Sequence, residues 1–92
     1  MGNPSDLSQL MEFPCDYQFK AFGLNDDEGR FSEAVRAAVA TVVPVPLDAM
    51  KGRPSAQGSY LCVTVLVRLH NADQLKAIYE ALRQVDGLKY LL

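Results

Sequence analysis

Leu61, Val63, Val65, Val67 and Leu69 fall at alternate positions, and this is the strongest strand signal in the chain. Their neighbours Tyr60, Cys62, Thr64, Leu66, Arg68 and His70 fall on the opposite face. One face is wholly apolar and must be covered, while the mixed one can meet water or a partner. A second alternation runs from Cys15 to Phe22, with Cys15, Tyr17, Phe19 and Ala21 on one side and Asp16, Gln18 and Lys20 on the other. It predicts a half-buried strand with aromatic residues inward, closed by Gly23.

Between these strands the period changes. Phe31, Ala34, Val35, Ala38, Val39 and Val42 form one stripe at helical spacing and predict a helix over 31–43, stopped by Pro44. Asn25, Asp26 and Asp27 are its candidate N-caps. The weaker stretch 45–51 contains Pro46 and predicts an edge strand, or one that starts after the proline. Residues 52–59 carry turn chemistry, in which Pro54 sets its own φ and Gly58 is free to take positive φ. Leu75, Ile78, Tyr79, Leu82 and Val85 predict a second helix, capped by Asn71 or Asp73 and ended by Gly87. Leu88 to Leu92 predicts a short last strand.

The order strand, helix, strand, strand, helix, strand is two β-α-β units joined by a hairpin. It predicts an α+β, ferredoxin-like βαββαβ sandwich, a four-stranded antiparallel sheet with both helices on one face. The 92 residues suffice for one domain of modest stability, with residues 1–12 as a partly ordered N-terminal extension. In that extension Ser5 or Asp6 could cap a turn through Leu7, Leu10 and Met11, ended by Phe13-Pro14.

Charge and composition narrow the function. The net charge of −2 opposes nucleic acid and anionic membranes as partners of the molecule as a whole. The start of the chain lacks a basic region followed by an apolar run, so no secretory signal is expected, and a cytoplasmic location follows. Cys15 and Cys62 are expected as free thiols that pack as small residues, without disulfide or metal.

The residues Phe13-Pro14 before the first strand, Gly23 after it, Arg53-Pro54-Ser55 with Gly58 and Tyr60 at the hairpin, and Tyr79-Glu80-Ala81-Leu82 leading to Val85 and Leu92 make a recognisable set. Over positions 10–92 they resemble the YbeD family of small bacterial proteins of uncharacterised function. The resemblance implies a ferredoxin-like fold related to ACT regulatory domains, and it implies no established activity or catalytic residue. ACT relatives bind small ligands, commonly amino acids, near the loop after the first strand, where Gly23, Asn25 and Asp26 stand here.

Candidate chemistry is sparse. Acylphosphatases share this fold but need a glycine-rich loop ending in a phosphate-binding arginine. The corresponding Lys20-Ala21-Phe22-Gly23-Leu24-Asn25 has no arginine and a single glycine. His70 has no nucleophile near it in sequence and reads as a surface residue at a strand end. Gly58 to Val63 echoes the aromatic strand of an RNA-recognition module, but that strand offers Tyr60 alone as a stacking residue. No catalytic residue, metal or cofactor is expected. Arg53, Ser55, Ser59, Tyr60, Leu66 and Arg68 are the candidates for contacting a partner or an anion. The expected function is a non-enzymatic regulatory or adaptor module acting by protein–protein contact. The alternative is a sensor of an amino acid or anionic metabolite at the loop of Gly23, Asn25 and Asp26. Weak homodimerisation through the open sheet face is expected as well.

Overall fold

The computed structural model describes residues 11–25 and 28–92. The chain forms β1 (Cys15–Leu24), α1 (Arg30–Ala40), a single 3-10 turn (Leu47–Ala49), β2 (Met50–Pro54), β3 (Tyr60–Leu69), α2 (Ala72–Arg83) and β4 (Leu88–Leu91). The strands make one antiparallel sheet in the order β2-β3-β1-β4, so the two long strands are central. This is the ferredoxin-like βαββαβ sandwich. The predicted turn around Leu7 and Leu10 and the predicted caps Asp26 and Asp27 lie outside the described residues.

Both helices cover one face of the sheet. Phe19, Ala21, Val63, Val65, Val67 and Leu69 supply its buried side chains. Phe31, Val35 and Val39 of α1, and Leu75, Ile78 and Leu82 of α2, meet them at helical spacing. Burial of these side chains drives folding, and no polar or charged residue among those described is buried. Tyr17 and Tyr79, half-buried at the margin, exchange a hydroxyl–hydroxyl hydrogen bond of 2.7 Å. None of the described helices is long and apolar enough to cross a membrane.

The element boundaries depart from the expected ones in ways that bear on the site. β1 runs through Gly23 to Leu24 instead of closing at Gly23, with a bulge between Phe22 and Gly23 where it meets β4. The first helix ends at Ala40, earlier than 43, because the β-branched Thr41-Val42-Val43 leave the helix as a turn that still buries Val43. Its N-cap is Gly29 in the left-handed region, φ 69°, with no side-chain cap; Asn25 is engaged elsewhere. The second edge strand begins after the 3-10 turn, at Met50, and takes Arg53 and Pro54 out of the expected turn and into β2. Pro54 is the last residue of that edge strand, which accommodates a missing N–H. In α2 the cap is Asn71, whose side chain accepts the Gln74 N–H at 2.9 Å, while Gln74 accepts the His70 N–H at 2.7 Å. This helix ends at Arg83, and Gly87, φ 86°, serves the later turn into β4.

Candidate functional site

Alternation and register together determine what lies on the uncovered face. The buried positions of β3 are Val63, Val65, Val67 and Leu69, so Tyr60, Cys62, Thr64, Leu66 and Arg68 point the other way. The β1–β3 ladder places Leu24 opposite Tyr60, Phe22 opposite Cys62, Lys20 opposite Thr64, Gln18 opposite Leu66 and Asp16 opposite Arg68. The edge strands extend these rows. Arg53 pairs with Cys62 and Lys51 with Thr64, while Tyr90 pairs with Phe22. Leu92 exchanges both backbone hydrogen bonds with Lys20, at 2.8 and 3.1 Å.

Read across the sheet, one row is Arg53, Cys62, Phe22, Tyr90, and the next is Lys51, Thr64, Lys20, Leu92. Above them Tyr60 and Leu24 close the hairpin end. Tyr60 is 49% exposed, Tyr90 59%, Leu24 48% and Leu92 52%, so a band of aromatic and aliphatic surface faces solvent. The Phe22 and Tyr90 rings lie 5.7 Å apart, centroid to centroid, and support each other. A shallow cavity of about 170 Å³ opens among Phe22, Tyr60 and Cys62 with Arg53 at its side.

Two regions that are distant in sequence meet at the hairpin end. The Asn25 N–H donates to the Ser59 carbonyl at 3.1 Å, and its side-chain amide donates to the Gly58 carbonyl at 2.9 Å. The hairpin 55–59 is itself closed by Ser55, whose N–H donates to the Tyr60 carbonyl at 2.8 Å and whose hydroxyl accepts the Tyr60 N–H at 3.2 Å. Gly58, φ 77°, supplies the left-handed residue that this turn needs.

The expected contact residues therefore fall into two groups. Arg53, Ser55, Ser59 and Tyr60 gather at the hairpin end together with Gly23 and Asn25. Leu66 and Arg68 lie toward the other end of β3, and Arg68 from Tyr60 spans roughly 26 Å at strand rise. Arg68 faces Asp16 at 3.4 Å, with both side chains more than half exposed, a pair that contributes little to stability. Gly23 packs under the Phe31 ring, and Asp26 lies outside the described residues. The sequence reading left Phe22, Leu24, Tyr90 and Leu92 off this face. Phe22 and Leu24 were within reach, since they continue the even-numbered series of Asp16, Gln18 and Lys20. Tyr90 and Leu92 required the pairing of β4 with β1.

A second depression, of about 430 Å³, lies between Leu24, Arg30, Phe31, Asp86 and Gly87. Cys15 and Cys62 are free thiols. His70 is exposed at the end of β3, hydrogen-bonded through its backbone.

Comparison with known proteins identifies a family and a fold. Residues 8–92 match the DUF493 family, described as a protein of unknown function. A UPF0250 protein of Neisseria gonorrhoeae is 33% identical over 93 aligned positions, covering 100% of both chains. Among solved structures, protein HP0495 from H. pylori superposes with a TM-score of 0.65 at 14% identity, over 89% of this chain and 85% of that one. The ACT domain from the GTP pyrophosphokinase of Chlorobium tepidum superposes with a TM-score of 0.60 at 13% identity, over 86% and 96%. At such identities the two structures speak for the fold, which is ACT-like.

Proposed function

The chain belongs to the DUF493 family of proteins of unknown function, the family that its YbeD resemblance indicated, and for it we propose a non-enzymatic cytoplasmic module that regulates or adapts by protein–protein contact. The working surface is the uncovered sheet face at its hairpin end. One observation carries this reading: Tyr60, Tyr90, Leu24 and Leu92, each about half exposed, share with Phe22 and Cys62 the sheet face opposite the two helices. Scattered apolar side chains need no explanation, but an aromatic band on one sheet face is the composition of an interface core. Tyrosine contributes large contact area at low entropic cost, and its hydroxyl stays in water until a partner arrives.

The test is affinity capture from extract of the native host with the wild-type protein and with Tyr60→Ser/Tyr90→Ser, both exposed positions, at which losing the Phe22–Tyr90 ring contact costs about 0.5–1.5 kcal/mol. A specific partner that is recovered by the wild type and lost by the double variant, with the variant still folded by circular dichroism, supports the reading. Identical recoveries by the two proteins sink it.

The depression beside the β1–α1 connection favours a second reading, a sensor of a small ligand. Its size suits a metabolite; Arg30 at its margin is ion-paired with Glu28 and Asp86 shares the lining, so an anionic ligand would have to compete with carboxylates for Arg30. A thermal-shift screen with amino acids and phosphorylated metabolites decides it, since a ligand at a hundredfold its dissociation constant adds about 2.7 kcal/mol.

A further inference from the structure

The charge distribution across the same sheet says more about the partner than the apolar band does. The chain carries 11 acidic and 9 basic side chains, yet the four strands hold a single acid, Asp16. That acid sits opposite Arg68, at the end away from the hairpin. Lys20, Lys51 and Arg53 occupy the two rows that also hold Phe22, Tyr90 and Leu92. No ion-pair partner is found for these three cations among the described residues. Lys51 and Lys20 flank Thr64 on neighbouring strands, which separates their backbones by about 10 Å, close to one Debye length at physiological salt. Their fields therefore add, and an acidic protein presents a locally positive, partly apolar face.

We propose that this face binds an acidic segment of another protein, one that inserts an aromatic or aliphatic side chain between Phe22, Tyr60 and Cys62 and sets flanking carboxylates against Arg53, Lys51 and Lys20. The inference rests on the reading of this face as a protein-contact surface and adds the chemistry of the partner. The cavity of about 170 Å³ is an anchor site of side-chain size, with Arg53 placed to take a carboxylate beside the anchor in fork geometry. A second copy of this chain is the weaker occupant, since face-to-face pairing would set two sets of cations against each other. Single-stranded nucleic acid would meet the same cations, but the negative charge of the remaining molecule opposes a long polyanion more than a short segment.

The experiment uses the full chain and three labelled probes: a short flexible peptide with one Phe flanked on each side by Glu, the same peptide with Gln in place of Glu, and a single-stranded oligouridylate. Fluorescence anisotropy at low salt should show the Glu peptide binding about tenfold tighter than the Gln peptide, a gap that closes by about 0.5 M salt. Lys51→Glu/Arg53→Glu should abolish that preference while leaving the melting temperature in place. Equal binding of the two peptides overturns the inference, as does an oligouridylate that binds tighter than the Glu peptide. Sedimentation showing a stable dimer that excludes the Glu peptide overturns it as well. The same charge-reversed variant in the capture experiment separates the two claims. A partner that depends on Tyr60 and Tyr90 but ignores the reversal leaves the contact reading standing and removes the acidic partner.

Discussion

Gly23 and Phe31 share one space. A Cβ built on Gly23 would overlap the Phe31 ring and stand 2.8 Å from the Gly87 carbonyl oxygen. The glycine is therefore a packing residue, which lets Phe31, the second residue of α1, pack against the end of β1. Gly23→Ala should displace the ring and cost about 1–3 kcal/mol, as overpacking does. Phe31→Leu in the same chain should recover part of the loss. Urea denaturation of the single and double variants measures both, and an additive result would show that the two positions do not compete.

The two faces of β3 predict opposite responses at adjacent positions. Val65 is fully buried beneath the helices, so Val65→Asp should cost about 4 kcal/mol or more and unfold the protein. Thr64 stands between Lys51 and Lys20 on the open face, and Thr64→Asp should change stability by less than about 1 kcal/mol. Circular dichroism of the two variants checks the contrast, and equal losses would invalidate the assignment of faces.

The thiols should be indifferent to redox conditions. β1 and β3 are neighbours, but their antiparallel register puts Cys15 opposite Leu69 and Cys62 opposite Phe22, seven positions apart along β1. That is roughly 23 Å of strand, whereas a disulfide needs Cα atoms within about 7 Å. The melting temperature with and without reductant should agree, and a large drop on reduction would contradict the register.

Stability should decline in alkali through Tyr79. Burial first, and the hydrogen bond to Tyr17 second, raise its phenol well above the usual tyrosine value. Below an unfolded pKa of about 10 both states hold the proton and the stabilisation is complete. As pH rises past that point the unfolded chain ionises while the folded one does not, so the contribution is lost progressively toward the folded value. Tyr79→Phe should be weaker than wild type near neutral pH by about 0.5–1.5 kcal/mol, for the lost hydrogen bond. The gap should narrow above about pH 10. Melting curves of the pair across that range give the comparison, and a constant gap would mean that Tyr79 titrates normally.

Periodicity determined which face of each long element is buried. The odd positions of β3 and the 31–35–39 and 75–78–82 stripes of the helices could be read directly, because burying apolar area in a regular element leaves a repeat of two or of three to four residues. Once those elements were ordered along the chain, the handedness of crossovers left the ferredoxin-like sandwich as the fold. The hairpin was legible through Gly58, and the cap of α2 through Asn71. Sequence alone also identified Arg53 and Tyr60 as candidates for contact.

Tertiary structure decided what accompanies them. β1 continues past Gly23, whose missing side chain leaves room for the Phe31 ring, and that continuation adds Leu24 to the open face beside Phe22. Tyr90 and Leu92 join them through hydrogen bonds to β1, a pairing of residues about seventy apart that no local pattern encodes. Lys20 on β1 and the pair Lys51 and Arg53 on β2 lie on two separate stretches of an acidic chain, and the register of both strands against β3 makes them neighbours. Local periodicity records whether a side chain is buried; the surface assembled from several strands is a property of their pairing, which backbone hydrogen bonds and the packing behind the sheet determine together.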